Sequence, residues 1–139
     1  MSEGERVAPV IIDTSALLAI LRDEPEALAC AEAIERAAVR RISAGTWLEA
    51  AIVIDASGDP VASRKFDELL EVANIVVEPV TAEQARIGRG AYRDFGKGSG
   101  HPARLNLGDC FAYALAQERG EPLLFRGLDF SRTDLAAAR

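Results

Sequence analysis

The chain has 139 residues, a length that suits one compact domain, and 49% of them are hydrophobic, which is enough for a core. Its 22 acidic and 16 basic residues give a net charge of −6, which disfavours binding of nucleic acid by charge alone unless bound cations reverse the local sign. No apolar run reaches the ~18 residues of a membrane span, and the polar start lacks the apolar middle of a signal peptide. We therefore predict a cytoplasmic protein with one domain over residues 1–139, of which residues 1–9 form a disordered lead-in.

Short apolar runs alternate along the chain with longer segments at helical spacing. Thr14 or Ser15 is predicted to cap the first helix, and Thr46 to open the third. A glycine-rich loop is predicted over 96–102. In chain order, the predicted elements are a strand at 10–12, helices at 16–21 and 26–39, a strand at 41–44, helices at 46–56 and 62–72, a strand at 75–77, helices at 82–95 and 108–119, a strand at 122–125, and a short turn or helix from about 129.

Strands that alternate with helices, and that are apolar throughout, indicate a parallel sheet covered on both faces. The sequence therefore predicts an α/β fold, an α/β/α sandwich with a central parallel sheet of four or five strands. In such a sheet, ligands bind beyond the carboxyl ends of the strands. Reactive side chains at those ends are thus the candidates for chemistry.

Four carboxylates are candidates for one site. Asp13 follows the first predicted strand, and Asp129 lies on the loop after the last. Asp109 is in the first turn of an apolar helix, where interaction with the helix dipole is an alternative role. Glu49 lies in the almost wholly apolar segment 47–54, so either its face is exposed or a cation pairs with it. This placement favours a hard divalent cation, Mg²⁺ or Mn²⁺, which can activate water and hold a phosphodiester for attack.

Competing chemistries lack the residues they need. His101 is the only histidine, so neither a metal-free acid–base ribonuclease nor a Ser–His–acid triad is supported. Lys97 is followed by Gly98 rather than by the Ser or Thr of a phosphate-binding loop. No CxxC pair exists, which disfavours a zinc ribbon, and we expect Cys30 and Cys110 to be buried thiols in a reducing compartment.

Two other classes with strand-end acids are also disfavoured. A phosphoacceptor signalling domain usually carries adjacent acids after its first strand, whereas Asp13 is followed by Thr14 and Ser15. A haloacid-type phosphatase needs a second acid two residues after the first, and Ser15 occupies that place.

Four segments, taken in order, resemble a known family. The run Val-Ile-Ile-Asp-Thr-Ser over 10–15 is similar to the opening strand and turn of PIN domains, and Glu49 lies where that family has its second acid. The run Leu-Asn-Leu-Gly-Asp-Cys-Phe-Ala-Tyr-Ala over 105–114 resembles the third-acid segment, and 122–130 resembles the last strand and fourth-acid loop. The loop 92–101 and the tail 133–134 resemble VapC-type toxins of bacterial toxin–antitoxin pairs, so that the resemblance runs from about residue 10 to residue 134.

The resemblance implies a Mg²⁺- or Mn²⁺-dependent endoribonuclease that hydrolyses RNA. Its acidic cluster would consist of Asp13, Glu49, Asp109 and Asp129, with Asp134 as the alternative fourth acid. In this reading a carboxylate-held metal lowers the pKa of a water and neutralises charge on the phosphoryl oxygens.

Supporting residues surround the proposed cluster. Thr14 or Ser15 could hydrogen-bond a ligand carboxylate, and Asn106 could position the segment before the third acid, although helix or turn capping is an equal alternative for all three. Three basic residues flank the proposed mouth, where they could contact the RNA backbone or form ordinary solvated surface: Lys97, Arg104 and Arg126.

The resemblance also implies partners. A cognate VapB-type antitoxin would dock on the toxin and could insert a basic residue among the acids, which suits the negative net charge. RNA would be the substrate, a homodimer is expected, and no membrane partner is. The alternative is a non-catalytic PIN-like domain that binds RNA or protein, and metal titration separates the two because a scaffold need not bind Mn²⁺.

Overall fold

The computed structural model describes residues 9–126 together with 134 and 137. Within that part of the chain, strands and helices follow one another in the predicted order. The elements are β1 (Val10–Ile12), α1 (Thr14–Leu21), α2 (Ala27–Arg36), β2 (Arg40–Ser43), α3 (Ala44–Asp55), α4 (Pro60–Val72), β3 (Ile75–Glu78), α5 (Ala82–Phe95), α6 (Leu107–Arg119) and β4 (Leu123–Leu124).

The four described strands form one sheet in the order β3-β2-β1-β4, and every pairing in it is parallel. The register brings Ile11 beside Arg41 on one side and beside Leu123 on the other. The predicted parallel sheet is therefore confirmed. Because all strands run the same way, their carboxyl ends meet at one edge, where Asp13 directly follows β1.

Helices cover both faces of this sheet. Successive side chains of a strand point to opposite faces, and the central strand β1 shows this directly. Val10 and Ile12 pack into a core built with α1, α2, α3 and α4, whereas Ile11 packs into a second core built with α5 and α6. These two cores confirm the predicted α/β/α sandwich.

The strand β2 is less apolar than the prediction required. Arg41 forms ion pairs with Glu78 at 2.8 Å and with Glu121 at 3.1 Å. Arg40 donates to three backbone carbonyls at the ends of α2 and α4. These bonds satisfy guanidinium groups that would otherwise be costly to half-bury.

Several element boundaries differ from the prediction by one to three residues, and two of these differences have a clear local cause. The third helix begins at Ala44 rather than Thr46, because the extended backbone of Ser43 lets its hydroxyl accept the Gly45 N–H at 3.2 Å. The second helix ends at Arg36, three residues earlier than predicted, because the next residue has an extended backbone.

The structure also bears on two expectations from composition, which concern the cysteines and membrane spans. Cys30 and Cys110 are both buried thiols that are not joined in a disulfide, as predicted. Within the described residues, every helix is too short or too polar to cross a membrane.

Candidate active site

Asp13 lies at the point where β1 becomes α1. Its backbone N–H donates to the Leu124 carbonyl at 3.0 Å, which ties it to the end of β4. Its Oδ2 accepts the Ser15 N–H at 3.0 Å and the Ser15 hydroxyl at 2.7 Å. The cap of α1 is therefore Asp13 itself, and neither Thr14 nor Ser15 as predicted, because the acid has the extended backbone that a cap requires.

The carboxylate of Asp13 is held in an environment that disfavours its charge. The residue is only 2% exposed, and its Oδ1 has no hydrogen-bond partner among the described residues. Burial raises the pKa of Asp13 to about 6; the two bonds from Ser15 lower it, and the nearby charge of Glu49 raises it further. A nearby cation would favour the charged form of such a group.

Glu49 approaches Asp13 from the second strand–helix unit. The Thr14 hydroxyl donates to Glu49 Oε1 at 2.8 Å and lies 3.4 Å from the Thr46 carbonyl oxygen. Glu49 is half-buried, next to the fully buried Ala50 on α3. Its carboxylate is therefore neither solvated surface nor an isolated buried charge, since a hydroxyl on α1 fixes one of its oxygens.

Asp109 lies in the first turn of α6, as predicted. The side chain of Asn106 accepts the Asp109 N–H at 3.0 Å, and Asp109 Oδ2 accepts the Asn106 N–H at 3.0 Å. These reciprocal bonds form a capping box that satisfies two N–H groups of the helix start. Asn106 therefore caps α6, which is the alternative role that the sequence left open for it.

Gly108 joins the second and third acids. A Cβ built on Gly108 would lie 1.8 Å from Glu49 Oε2 and 2.3 Å from its Cδ. The Glu49 carboxylate thus lies directly against the first turn of α6, one residue before Asp109. Asp13, Glu49 and Asp109 are consequently linked at one edge of the sheet through Thr14 and Gly108.

The fourth acid is less simply placed. Asp129 lies outside the described residues. Asp134 is exposed, and its Oδ1 accepts a hydrogen bond from the Tyr113 hydroxyl at 2.7 Å. Tyr113 lies on α6, one helical turn after Asp109. Within the described residues, no group of three or more His, Cys, Asp or Glu side chains is arranged so that it could hold a metal ion. In this state Asp109 serves the capping box.

The predicted basic residues occupy two different settings. The Arg126 N–H donates to the Ser15 hydroxyl at 2.9 Å, while its guanidinium pairs with Glu26 at 2.9 Å. Lys97 and Arg104 are exposed on the chain between α5 and α6. Arg104 has a φ of 54°, a left-handed conformation that is uncommon outside glycine.

A family model and curated relatives match nearly the whole chain. The family model for the PIN domain matches residues 10–135. The chain belongs to the PIN-domain family. Ribonuclease VapC28 from Mycobacterium tuberculosis is 59% identical to it over 129 residues, which cover 93% of this chain and 97% of that protein. Ribonuclease VapC42 from the same species is 51% identical over 129 residues, covering 93% and 98%. The chain is thus a PIN domain of the VapC type.

Solved structures agree with this fold. Mycobacterium tuberculosis VapC20, described as a sarcin–ricin loop cleaving toxin, superposes on this PIN domain with a TM-score of 0.71 at 15% identity, covering 91% of this chain and 96% of the other. VapBC-5 from the same species, a member of the VapBC toxin–antitoxin systems, gives 0.63 at 23% identity and covers 95% of each chain. At these identities the likeness concerns the fold.

Two residues of the PIN domain's acidic edge escaped sequence reasoning. Gly108 enters the sequence analysis only as part of a motif, although an isolated glycine within a helical segment often has a packing reason. Thr46 is predicted only to open a helix, although it lies three residues before Glu49 and therefore on the same face of that helix. Both residues are visible in the local sequence, but their contacts with the acidic edge depend on how α1 and α6 pack against α3.

An open groove runs from the acidic edge of the PIN domain over α3 and α6. Its volume is about 450 Å³, and Glu49 and Asn106 lie on its wall. Leu48, Ile52 and Leu107 line it as well and are more than half exposed. A predominantly apolar groove thus adjoins the carboxylates.

Proposed function

We propose that this PIN domain is an endoribonuclease, the toxin of a VapBC-type toxin–antitoxin pair, which hydrolyses RNA phosphodiester bonds with the aid of a divalent cation at the acidic edge. The observation that carries the proposal is the state of Asp13. Its carboxylate is buried beside Glu49 with one oxygen unpartnered. The identities of 59% and 51% to curated ribonucleases of the VapC type support the same activity.

The residues at this edge suit Mg²⁺ or Mn²⁺, because both cations prefer carboxylate oxygens. Asp13, Glu49 and Asp109 would hold the cation, Asp109 by turning away from the capping box. Asp129 is the proposed fourth acid, with Asp134 as the alternative. When bound, such a cation lowers the pKa of a water and offsets negative charge on the phosphate.

Other residues of the chain orient these acids. Thr14 holds Glu49 Oε1 by the hydrogen bond at 2.8 Å, and Ser15 holds Asp13 Oδ2 at 2.7 Å. Each bond fixes one oxygen of the carboxylate and so orients the other oxygen, as hydrogen-bond partners of metal ligands do. Asn106 secures the first turn of α6 and therefore the position of Asp109.

RNA binding is assigned to basic residues on the chain before α6 and directly after β4. Lys97 and Arg104 are exposed near the start of α6 and would contact backbone phosphates. Arg126 would do so after exchanging Glu26 for a phosphate, since its ion pair at 2.9 Å is partly exposed.

The groove beside the acids suits the antitoxin. A VapB-type segment with apolar side chains would cover Leu48, Ile52 and Leu107 and place a basic residue at Glu49. Such a segment would inhibit the enzyme by occupying both the acids and the approach to them. A homodimer is part of the proposal, on the family resemblance alone.

A non-catalytic PIN-like domain that binds RNA or protein is the second candidate. The capping box favours it, because Asp109 Oδ2 is already used by the Asn106 N–H. In that case the acids would serve folding and partner binding, and added Mn²⁺ would change nothing.

The test is cleavage of end-labelled total RNA by the purified chain, free of partner, with Mn²⁺, Mg²⁺ or EDTA. Asp13→Asn and Asp109→Asn remove single acids, and Asp67→Asn, exposed on α4, is the matched control. We expect metal-dependent cleavage by the wild type and the control, and none by the other two. Cleavage that survives EDTA or both substitutions contradicts the proposal, and absence of both cleavage and Mn²⁺ binding favours the non-catalytic domain.

A further inference from the structure

Two buried side-chain oxygens within the described residues lack a hydrogen-bond partner. They are Asp13 Oδ1 and Thr46 Oγ1, in residues that are 2% and 0% exposed. Buried polar atoms are nearly always paired, so an unpaired one indicates a water, an ion or a ligand that binds there. Asp13 belongs to the proposed cation site, whereas Thr46 has no role so far.

Both residues border one small polar cluster. Thr14 follows Asp13 in sequence, and its hydroxyl lies 3.4 Å from the Thr46 carbonyl oxygen while donating to Glu49 at 2.8 Å. Of the five buried polar or charged residues that the structure describes, only Gln84 lies elsewhere. Buried polarity is therefore concentrated where the ends of β1 and β2 meet.

The hydroxyl of Thr46 does not serve its own helix. A threonine within a helix commonly donates to a carbonyl three or four residues earlier, yet Thr46 Oγ1 makes no such bond. Ala50 and Ile54 follow at four-residue intervals and are buried on the same face of α3. Thr46 is therefore buried on this apolar face without its hydroxyl being used there.

We infer that Thr46 is a positioning residue of the acidic site, whose hydroxyl and Asp13 Oδ1 together hold one water molecule that enters with the divalent cation. The inference rests on the proposed cation site. The water would donate one hydrogen bond to the Asp13 carboxylate and form a second with the Thr46 hydroxyl, so that both unpaired oxygens gain a partner. Thr46 thereby acts on the cation through the water and through the orientation of Asp13.

The test compares Thr46→Val, which keeps the shape and removes the hydroxyl, with Thr46→Ser, which keeps the hydroxyl. The affinity for Mn²⁺ alone is measured from the electron paramagnetic resonance signal of free Mn²⁺, and thermal unfolding is followed in EDTA. We expect Thr46→Val to weaken Mn²⁺ binding by about 10-fold, the scale of outer-shell partners of metal ligands. Thr46→Ser should stay within about twofold of wild type. In EDTA, Thr46→Val should unfold no earlier than wild type, because it deletes an unpaired buried oxygen.

Three results would overturn the inference. Equal Mn²⁺ affinity of wild type and Thr46→Val would show that the hydroxyl does not contribute, while leaving the proposed ribonuclease intact. Earlier unfolding of Thr46→Val than of Thr46→Ser in EDTA would show that the hydroxyl has a structural partner independent of the cation. Absence of Mn²⁺ binding by the wild type would remove the cation site and the inference with it.

Discussion

The carboxylate of Glu49 lies directly against Gly108, so closely that a methyl group on Gly108 would overlap both carboxylate oxygens, at 1.8 and 2.6 Å. This contact crosses from α3 to α6 and places the second acid beside the turn that carries Asp109. The smallest side chain at residue 108 is thus what allows two segments of the acidic edge to approach.

Gly108→Ala should displace Glu49 and weaken Mn²⁺ binding and RNA cleavage by about 10-fold or more. Alanine favours helix by about 1 kcal/mol over glycine, so the loss of function should not come from a weaker α6. The measurements are Mn²⁺ titration and cleavage rate.

Gly88→Ala is the matched control for that substitution. Gly88 also lies in a helix against α6, but its added Cβ would meet Cys110 and Ala114 at 3.5–3.9 Å, which is ordinary contact. We expect wild-type affinity and equal or greater stability. Similar losses in both variants would refute a specific role of the Glu49–Gly108 contact.

We expect Asp13 to make the protein less stable at neutral pH when no metal is bound. Its pKa is raised from 3.8 to about 6 by burial, so between these values the folded chain holds a proton that the unfolded chain has released. The free energy of unfolding therefore falls as pH rises through this window, by about 3 kcal/mol in all.

Asp13→Asn should remove this dependence, since asparagine stays neutral and caps a helix as well as aspartate does. In EDTA at about pH 7.5 the variant should melt at a higher temperature than wild type, and the gap should close near pH 4. Added Mn²⁺ should raise the melting temperature of the wild type only. A wild type that is the more stable protein in EDTA at neutral pH would argue against a buried, destabilised carboxylate.

Thr14→Val should lower cleavage by about 10-fold, because Glu49 loses the donor at 2.8 Å that orients it. Thr14→Ser keeps a hydroxyl at the same position and should retain most of the activity. The comparison of the two rates, at saturating Mn²⁺, separates orientation of Glu49 from packing. Equal rates would assign Thr14 to the core alone.

Asp109 has two roles that substitution can separate. Asp109→Asn keeps an acceptor for the Asn106 N–H and should preserve stability in EDTA, whereas Asp109→Ala loses the capping bond and about 1 kcal/mol. Both should abolish Mn²⁺-dependent cleavage. Chemical denaturation and the cleavage assay check the two roles, and an active Asp109→Asn protein would limit Asp109 to capping.

The cysteines should be unreactive in the native protein. Burial raises the pKa of Cys110 to about 11, and its thiol donates to the Asn106 carbonyl at 3.4 Å. Little thiolate is then present near neutral pH. A thiol reagent should label neither cysteine until the chain is unfolded in guanidinium, and fast labelling of the folded protein would contradict this.

Much of the fold was accessible from local pattern. Short β-branched runs such as 10–12 and apolar residues at helical spacing can be recognised from neighbouring residues alone. They were enough to predict the α/β class, the parallel sheet and the place of Asp13 after β1. Helix caps were harder, because Asp13, Thr14 and Ser15 are all capping residue types and only backbone geometry chose between them.

The order of strands and helices, and the acids that follow strands or begin helices, can be derived from local sequence pattern alone. Tertiary structure alone decided that Thr14 bonds Glu49, that Glu49 rests on Gly108, and that Thr46 Oγ1 and Asp13 Oδ1 are left unpaired. Sequence pattern could not predict these contacts, because periodicity reports the environment of one segment only. The contacts join residues 35 apart or more and depend on how three helices pack at the edge of one sheet.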